Sequence, residues 1–371
     1  MPMVPACVPA CVAIPVRDEA ERIVACLRAL SDQHGPAPDH AVLLVNNTRD
    51  ETMEVVDRLR PALRFPVTAI ETCLPPERAH AGGARAEAMR IAAAIAGPDG
   101  LLLTTDADGR VQPDWLAATR RALVSGVEVV CGQAAIDPVE ALLIPAELHA
   151  DDASEVAFGT VLDHIHALAD PDPFDPWPRH TEHSGASIAV TVRAWQAAGG
   201  VPPLPTGEDR AFLRALRRVD RRIRHAPEVR VVVSGRTVGR AVGGMADTMA
   251  RRMLKQDPLL DGSLEPPFAA LRRARARAEF QRLRRSGAPH PDVATLAATL
   301  EVDSDALESW LKLPFLGEGW DALEGSSPVL KRRPVERRLL ARHHEEAEWI
   351  VSTLLRERAR AGAARDTEPA D

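Results

Sequence analysis

Over the first 130 residues, short apolar runs alternate with amphipathic stretches, and this alternation restricts the fold more than any other feature of the chain. Cys11–Val16 reads as a buried strand, and Glu19–Leu30 as a helix with Ile23, Leu27 and Leu30 on one face and Asp18 before it as a cap. Ala41–Val45 is expected as a second strand, Thr52–Leu59 as a helix and Val67–Glu71 as a third strand. An Ala-rich helix over Gly83–Ala96 and a fourth strand over Leu101–Thr105 follow. A β-α-β-α-β-α-β series of this kind gives an α/β fold: a mostly parallel sheet with helices on both faces, binding ligands at the carboxyl ends of its strands.

Beyond this series, Asp114–Leu123 reads as a helix and Val127–Gly132 as a strand. The stretch from Ile136 to Thr181 is rich in Pro and Asp at ADPDPFDPWPRH and is expected to be a long loop or lid around a helix near Asp152–Ala169. Ser187–Val192 and Val229–Val233 read as strands, with a helix over Asp209–Val219 between them. After Met245 the texture changes to Arg-rich helical sequence, so residues 1–245 are expected as one domain and residues 246–371 as a helical C-terminal extension. That extension suits a homodimer contact.

Charge and composition exclude several classes of function. Residues 1–244 carry 25 basic and 32 acidic side chains, which accounts for the whole net charge of −7. An acidic domain does not favour a phosphate backbone as partner, but it suits a site that holds a divalent metal through carboxylates. Aromatic residues make up only 4% and Tyr is missing, which argues against a base-stacking surface for single-stranded nucleic acid. The 292–311 stretch has a helix-turn-helix cadence, yet it is acidic where a recognition helix is basic, so no nucleic-acid partner is expected.

The five cysteines form no CxxC pair, which fits a reducing cytosol and a cytoplasmic location. The opening MPMVPACVPACVAIPV lacks a basic n-region and contains four prolines, so it does not read as a signal peptide. No apolar run approaches the ~20 residues of a membrane helix.

Two motifs carry chemistry. In LLLTTDADGRVQPDW (101–115) a strand runs out into Asp106-Ala-Asp108, and strand alternation places both carboxylates on the same side. Two such carboxylates repel unless a cation joins them, and Mg²⁺ or Mn²⁺ shared with a substrate diphosphate is the simplest answer. The other reading is a turn whose aspartates cap the helix at Trp115. In TGEDRAFLRALRRV (206–219), Glu208-Asp209 opens an amphipathic helix, either as a helix-capping acid or as a general base for an acceptor hydroxyl.

Taken in order, these pieces resemble a known family. VAIPVRDEAERI (12–23), VLLVNNTRDET (42–52), GGARAEAMRIA (82–92), the TDADG turn, GASIAVTVRAWQAAGGVPP (185–203) and GEDRAFLRAL make residues 11–245 similar to family-2-like glycosyltransferases of the GT-A fold. These are nucleotide-sugar-dependent, hexosyltransferase-type enzymes with a Rossmann-like sheet. The resemblance implies that the loop after the first strand meets the nucleotide base, here through Pro15, Arg17 and Glu19. Where the family has an Asp that recognises uracil, this chain has Asn46-Asn47, followed by Asp50, a departure that leaves the base open. Gly83 and Arg85 match the diphosphate loop. Separately, Arg236 and Arg240 in the Gly-rich GRTVGRAVGG read either as basic residues that close over the diphosphate or as part of a surface linker between domains.

Asp106 and Asp108 match the DxD motif that holds the metal and donor, with His225 as a late histidine placed by order only. Asp209 matches the general base of the ED motif, with Glu208 orienting or substituting for it. The resemblance therefore implies an inverting transfer from a nucleoside-diphosphate sugar to the hydroxyl of a lipid or small-molecule acceptor. The QxxRW motif of processive synthases is missing, so a polymer synthase is not expected.

Other readings compete. A non-catalytic nucleotide-sugar-binding or scaffold protein on a degenerate GT-A fold is the main alternative, opposed by the full acid set Asp106, Asp108, Glu208 and Asp209. Sugar-phosphate nucleotidyl transfer is opposed by the lack of any lysine before Lys255. His180-x-x-His183 and His164-x-His166 do not form a familiar zinc spacing. HSGASIA lacks the GxSxG elbow of a serine hydrolase. The seven arginines from Arg272 to Arg285 read either as a solvated or subunit-contact face, or as a peripheral contact with anionic lipid on the inner membrane face.

Overall fold

The computed structural model describes residues 8–124, 126–237, 239, 245–287 and 292–365. The chain divides into two compact units, Met1–Pro145 with Arg179–Leu254, and Ala146–Pro178 with Lys255–Asp371.

The first unit is built on one eight-stranded sheet. Its strands are β1 (Ala10–Val16), β2 (His40–Asn46), β3 (Val67–Thr72), β4 (Leu101–Thr104), β5 (Arg110–Val111), β6 (Val129–Ile136), β7 (Ile188–Thr191) and β8 (Ile223–Val233). They lie in the order β3-β2-β1-β4-β7-β6-β8-β5. The β3-β2-β1-β4 half is parallel, as the alternation predicts. The other half is mixed: β7 runs antiparallel to both β4 and β6, β6 and β8 are parallel, and β5 is an antiparallel edge on β8. The class is α/β, but the parallel character belongs to one half of the sheet.

Helices cover both faces. Along α3 (Ala81–Ala96), Ala84, Ala88, Met89, Ala92, Ala93 and Ala96 form a buried stripe against Cys11, Ala13, Val42, Leu44 and Leu102 of the sheet. Small side chains in that stripe let the helix lie close to the strands. The alternate residues Val12, Ile14, Leu43 and Val45 point the other way and are equally buried, as are Ile23, Leu27 and Leu30 of α1 (Ile23–Ser31).

α1 starts four residues later than expected. Asp18 has a left-handed φ of 51° and its Oδ1 accepts the Arg49 N–H, so it does not cap the helix; Arg22 stands at the N-cap position.

The second unit is helical. Phe158, Leu162 and Ile165 of α6 (Ala146–Ala169) pack with Ala347, Ile350, Val351 and Leu354 of α14 (Leu340–Arg365). α10 (Pro267–Ser286) contributes Ala270 to this core and Ala276, Phe280 and Leu283 to a second core with α11 (Asp292–Leu300), α12 (Ser304–Leu311) and α13 (Leu316–Ser326). Residues 255–371 of the expected C-terminal extension share their compact unit with Ala146–Pro178, and the helix expected near Asp152–Ala169 runs over Ala146–Ala169. Its apolar helix face, spaced by three and four residues, is buried in the helical core.

The arginines of α10 are turned to internal use. Buried Arg273 bridges Glu265 and Glu324 and donates to the Leu330 carbonyl, and Arg277 pairs with Asp170. Arg282 pairs with Glu279 and Asp292, and Arg284 donates to the Leu311 and Pro314 carbonyls. A lipid-binding basic face over Arg272–Arg285 is therefore not what most of these side chains form. Among the described residues no helix is long and apolar enough to cross a membrane.

Candidate active site

The carboxyl ends of β1 and β2 lie side by side, with Val16 registered on Val45, and β4 flanks them through the pairing of Ala13 with Thr104. The loops leaving β1 and β2 are stapled together. Asp18 N–H donates to Thr48 Oγ1 at 3.3 Å, Glu19 N–H to Thr52 Oγ1 at 3.0 Å and Ala20 N–H to Asp50 Oδ2 at 3.0 Å. Asp50 also accepts the Thr52 N–H and hydroxyl. Partial burial pushes its carboxyl up, but the bonds from Thr52 and Ala20 outweigh burial and hold it below the usual carboxylate range. Asp50 thus staples the two loops together.

Asn47 is likewise committed. In a left-handed conformation, it donates through Nδ2 to the Leu74 carbonyl at 3.3 Å and accepts the Leu74 N–H at 3.1 Å, continuing the pairing past the end of β3. Its amide edge serves the Leu74 backbone. Pro15 lies in β1 opposite Leu44, and Arg17 donates to the Ala79 carbonyl at 3.4 Å.

At the start of α3 the Gly83 N–H donates to His80 Nδ1 at 3.1 Å. Its glycine character has a steric cause: a Cβ there would lie 2.2 Å from the Arg78 carbonyl oxygen, and one on Gly82 would lie 2.1 Å from the Leu204 carbonyl oxygen.

Arg85, expected on the diphosphate, is buried. Its Nε donates to Glu208 Oε1 at 3.1 Å and its Nη2 to Asp106 Oδ1 at 2.8 Å. Its Nη1 donates to Thr104 Oγ1 at 2.7 Å and to the Gly185 carbonyl at 2.9 Å. Burial works against the charged form, but Asp106 and Glu208 more than offset it and hold the guanidinium above its usual range.

One side chain therefore joins the TDADG turn to α8 (Glu208–Arg218). Glu208 is buried and paired with Arg85. Asp209 is half-buried at the first turn of α8; its Oδ2 accepts the Gly185 N–H at 3.1 Å and its Oδ1 the Arg210 N–H at 2.7 Å. Gly185 thus touches Arg85 through its carbonyl and Asp209 through its N–H. A Cβ on Gly185 would lie 2.6 Å from the Arg85 guanidinium carbon. The sequence marks Gly185 only as one small residue among several.

Asp108, on the far side of the turn, pairs with Arg236 at 3.0 Å, and Arg236 also grips buried Glu19 through Nη1 at 3.0 Å and Nη2 at 2.6 Å. Burial pushes Asp108 up to about 6, with Asp106 and Glu19 adding to the rise and Arg236 opposing it. Glu19 and Arg236 are therefore brought to the carboxylate turn, though as partners of each other; Arg240 lies outside the described residues. Cys26 donates its thiol to the Asp106 carbonyl at 3.4 Å, and burial beside Asp108, Asp106 and Glu19 raises its pKa, so it remains an unreactive thiol.

Among the described residues no group of three His, Cys, Asp or Glu is set to hold a metal ion. His225 does not supply a third ligand: its ring lies 5.6 Å from those of His180 and His183, with Arg217 3.0 Å from His183 Nε2. The donor chemistry of Asp106 and Asp108 nevertheless fits Mg²⁺ or Mn²⁺. Both offer hard carboxylate oxygens, and a cation would relieve the repulsion that raises Asp108.

Residues 11–160 match the model of glycosyl transferase family 2. This stretch is a family 2 glycosyltransferase domain. The match includes Asp106 and Asp108 and ends inside α6, so Glu208 and Asp209 lie beyond it. The matched stretch spans β1 to β6 of the sheet and the start of α6.

No curated protein matches the chain by sequence. Among solved structures, S. aureus TarS 1–349 in complex with UDP-GlcNAc is 15% identical with a TM-score of 0.46, over 85% of this chain and 90% of that one. The mannosyltransferase PcManGT from Pyrobaculum calidifontis, in complex with GDP-Man and Mn²⁺, is 18% identical with a TM-score of 0.40, over 97% and 88%. Glucosyl-3-phosphoglycerate synthase from Mycobacterium tuberculosis, with Mn²⁺, UDP and phosphoglyceric acid, is 15% identical with a TM-score of 0.38, over 70% and 85%. Likenesses this remote say nothing about substrate.

Proposed function

We propose that this family 2 glycosyltransferase moves a sugar from a nucleoside-diphosphate sugar to an acceptor hydroxyl in one inverting, divalent-cation-dependent displacement. The observation that carries the reading is the Arg85 hub, which bonds to Asp106 and Glu208 and, through Gly185, reaches Asp209. Carboxylates for a cation and a carboxylate for a base are thereby fixed to one rigid point.

Asp209 is the general base. The Gly185 and Arg210 N–H groups orient its carboxylate, which takes the proton from the acceptor hydroxyl as that oxygen attacks the anomeric carbon. The bond between that carbon and the diphosphate breaks on the opposite face, so configuration inverts. Asp106 and Asp108 would hold Mg²⁺ or Mn²⁺, which neutralises charge on the departing diphosphate. Arg85 keeps Asp106 and α8 in register without touching substrate. The donor's base, the sugar and the acceptor, lipid or small molecule, are left to assay. A cytoplasmic location belongs to this reading and is supported by a cysteine pattern without a CxxC pair.

The test is nucleoside-diphosphate release from UDP-, GDP-, ADP- and TDP-sugars with Mn²⁺ or Mg²⁺, run beside Asp108→Ala and Asp209→Asn. Metal-dependent release from one donor, lost in Asp108→Ala and reduced about a hundredfold or more in Asp209→Asn, is expected. Nucleotide binding without turnover under any acceptor condition would instead support a binding protein, and no nucleotide binding would overturn the donor site.

A further inference from the structure

Arg236 holds two carboxylates of the site at once. It leaves β8 just after Val233 and reaches back across the sheet ends to two carboxylates far away in sequence. Both of its terminal nitrogens are on Glu19, which is only 5% exposed, and Nη2 is also 3.0 Å from Asp108 Oδ2. The root of this strap is fixed. Glu140 accepts the Ser234 hydroxyl at 2.8 Å and the Gly235 N–H at 2.6 Å through Oε2, while its Oε1 pairs with Arg22 at 2.6 Å. A Cβ on Gly235 would lie 2.8 Å from Ile136 Cγ2, so only glycine lets the strap pass this close to β6 and Glu140.

The bidentate grip on Glu19 orients the guanidinium, and the strap root limits how far it moves. Its contact with Asp108 is therefore a built one. Asp108 Oδ2 cannot serve a guanidinium and a divalent cation with equal strength, because each draws on the same oxygen and repels the other.

We propose that Arg236 competes with the divalent cation for Asp108, so that the site takes its cation well only when a diphosphate is present to receive the displaced guanidinium. This rests on Asp108 being a metal ligand, as in the proposed function. It adds a residue of this chain to that site: displacement of Arg236 strengthens the coupling that an ion shared with the diphosphate already gives, and by linkage ion and diphosphate each raise the affinity for the other equally.

The experiment is titration of the full chain with Mn²⁺ alone, without nucleotide, reading free Mn²⁺ by electron paramagnetic resonance. Wild type, Arg236→Gln, Arg236→Lys and the double variant Arg236→Gln/Asp108→Asn are compared. Loss of a charged hydrogen bond that competes for the ligand corresponds to about a ten- to hundredfold change, so Arg236→Gln should bind Mn²⁺ at least about tenfold more tightly than wild type. Arg236→Lys, whose point charge cannot span both carboxylates, should fall between the two and serves as the readout if the Gln variant does not fold. The double variant should lose the gain. Equal or weaker Mn²⁺ binding by folded Arg236→Gln or Arg236→Lys overturns the competition. Failure of any nucleoside diphosphate to bind in a separate calorimetric titration overturns the proposed function instead, so the two failures are told apart.

Discussion

Replacing Arg85 with Met separates the two roles this residue has been given, diphosphate contact and buried hub. Met has similar length and no charge, and the Arg85 side chain is 6% exposed, with that of its partner Glu208 at 9%. The substitution therefore strands a buried carboxylate and also removes the donor to the Gly185 carbonyl and the Thr104 hydroxyl. Breaking a buried ion pair from one side costs about 3–5 kcal/mol. Asp106 is 35% exposed, so solvent screens its loss and adds only about 0–1 kcal/mol. The sum, about 4 kcal/mol, is a large part of the 5–15 kcal/mol that holds a typical domain together.

Urea unfolding of wild type, Arg85→Met, Glu208→Gln and the double variant measures it. Arg85→Met should be the least stable. The double variant should recover about 1–3 kcal/mol, because the stranded carboxylate is gone. A cost below about 1 kcal/mol, together with a donor KM raised tenfold or more, would refute the hub and return Arg85 to the diphosphate.

Three further outcomes are expected. Burial, with Arg217 beside it, takes His183 from 6.5 down to about 2, so below pH 6.5 the unfolded chain binds a proton that the fold refuses. This contribution to stability is whole above pH 6.5 and is lost as pH falls, with a slope approaching about 1.4 kcal/mol per pH unit; His183→Gln should flatten the pH 5–7 melting profile, and an unchanged slope would count against the assignment. Gly185→Ala places a Cβ 2.6 Å from the Arg85 guanidinium carbon and should cost about 1–3 kcal/mol with a matching loss of turnover; melting and product release, measured together, check it. The Thr105 hydroxyl is fully buried with no hydrogen-bond partner among the described residues, so Thr105→Val should melt at or above the wild-type temperature.

Much of the first unit was legible because its elements are local. The stripe of α3 and the buried runs of β1, β2 and β4 fall within a residue or two of where apolar periodicity places them, and Thr52–Leu59 falls on the same residues. The placement of Asp106 and Asp108 after a strand and of Asp209 at a helix start was legible because a polar pair at a strand end and an acid before an amphipathic run stand out against their neighbours. The short strand β5 and the antiparallel placement of β7 were not, since a strand's direction in a sheet depends on which partner it meets.

The site residues show the same division more sharply. The sequence by itself determined an α/β sheet, the strand end that carries two aspartates and the helix start that carries Glu208 and Asp209, since each depends on side chains a few positions apart. Only the tertiary structure decided that Arg85 and Glu208, 123 residues apart, neutralise each other in the interior. It likewise decided that Asn47 serves Leu74, that Arg236 lies on Glu19 across 217 residues, and that Ala146–Ala169 belongs with the C-terminal helices. A buried charge or amide must be satisfied by whatever group the fold brings within about 3 Å, and that partner is set by the packing of distant elements.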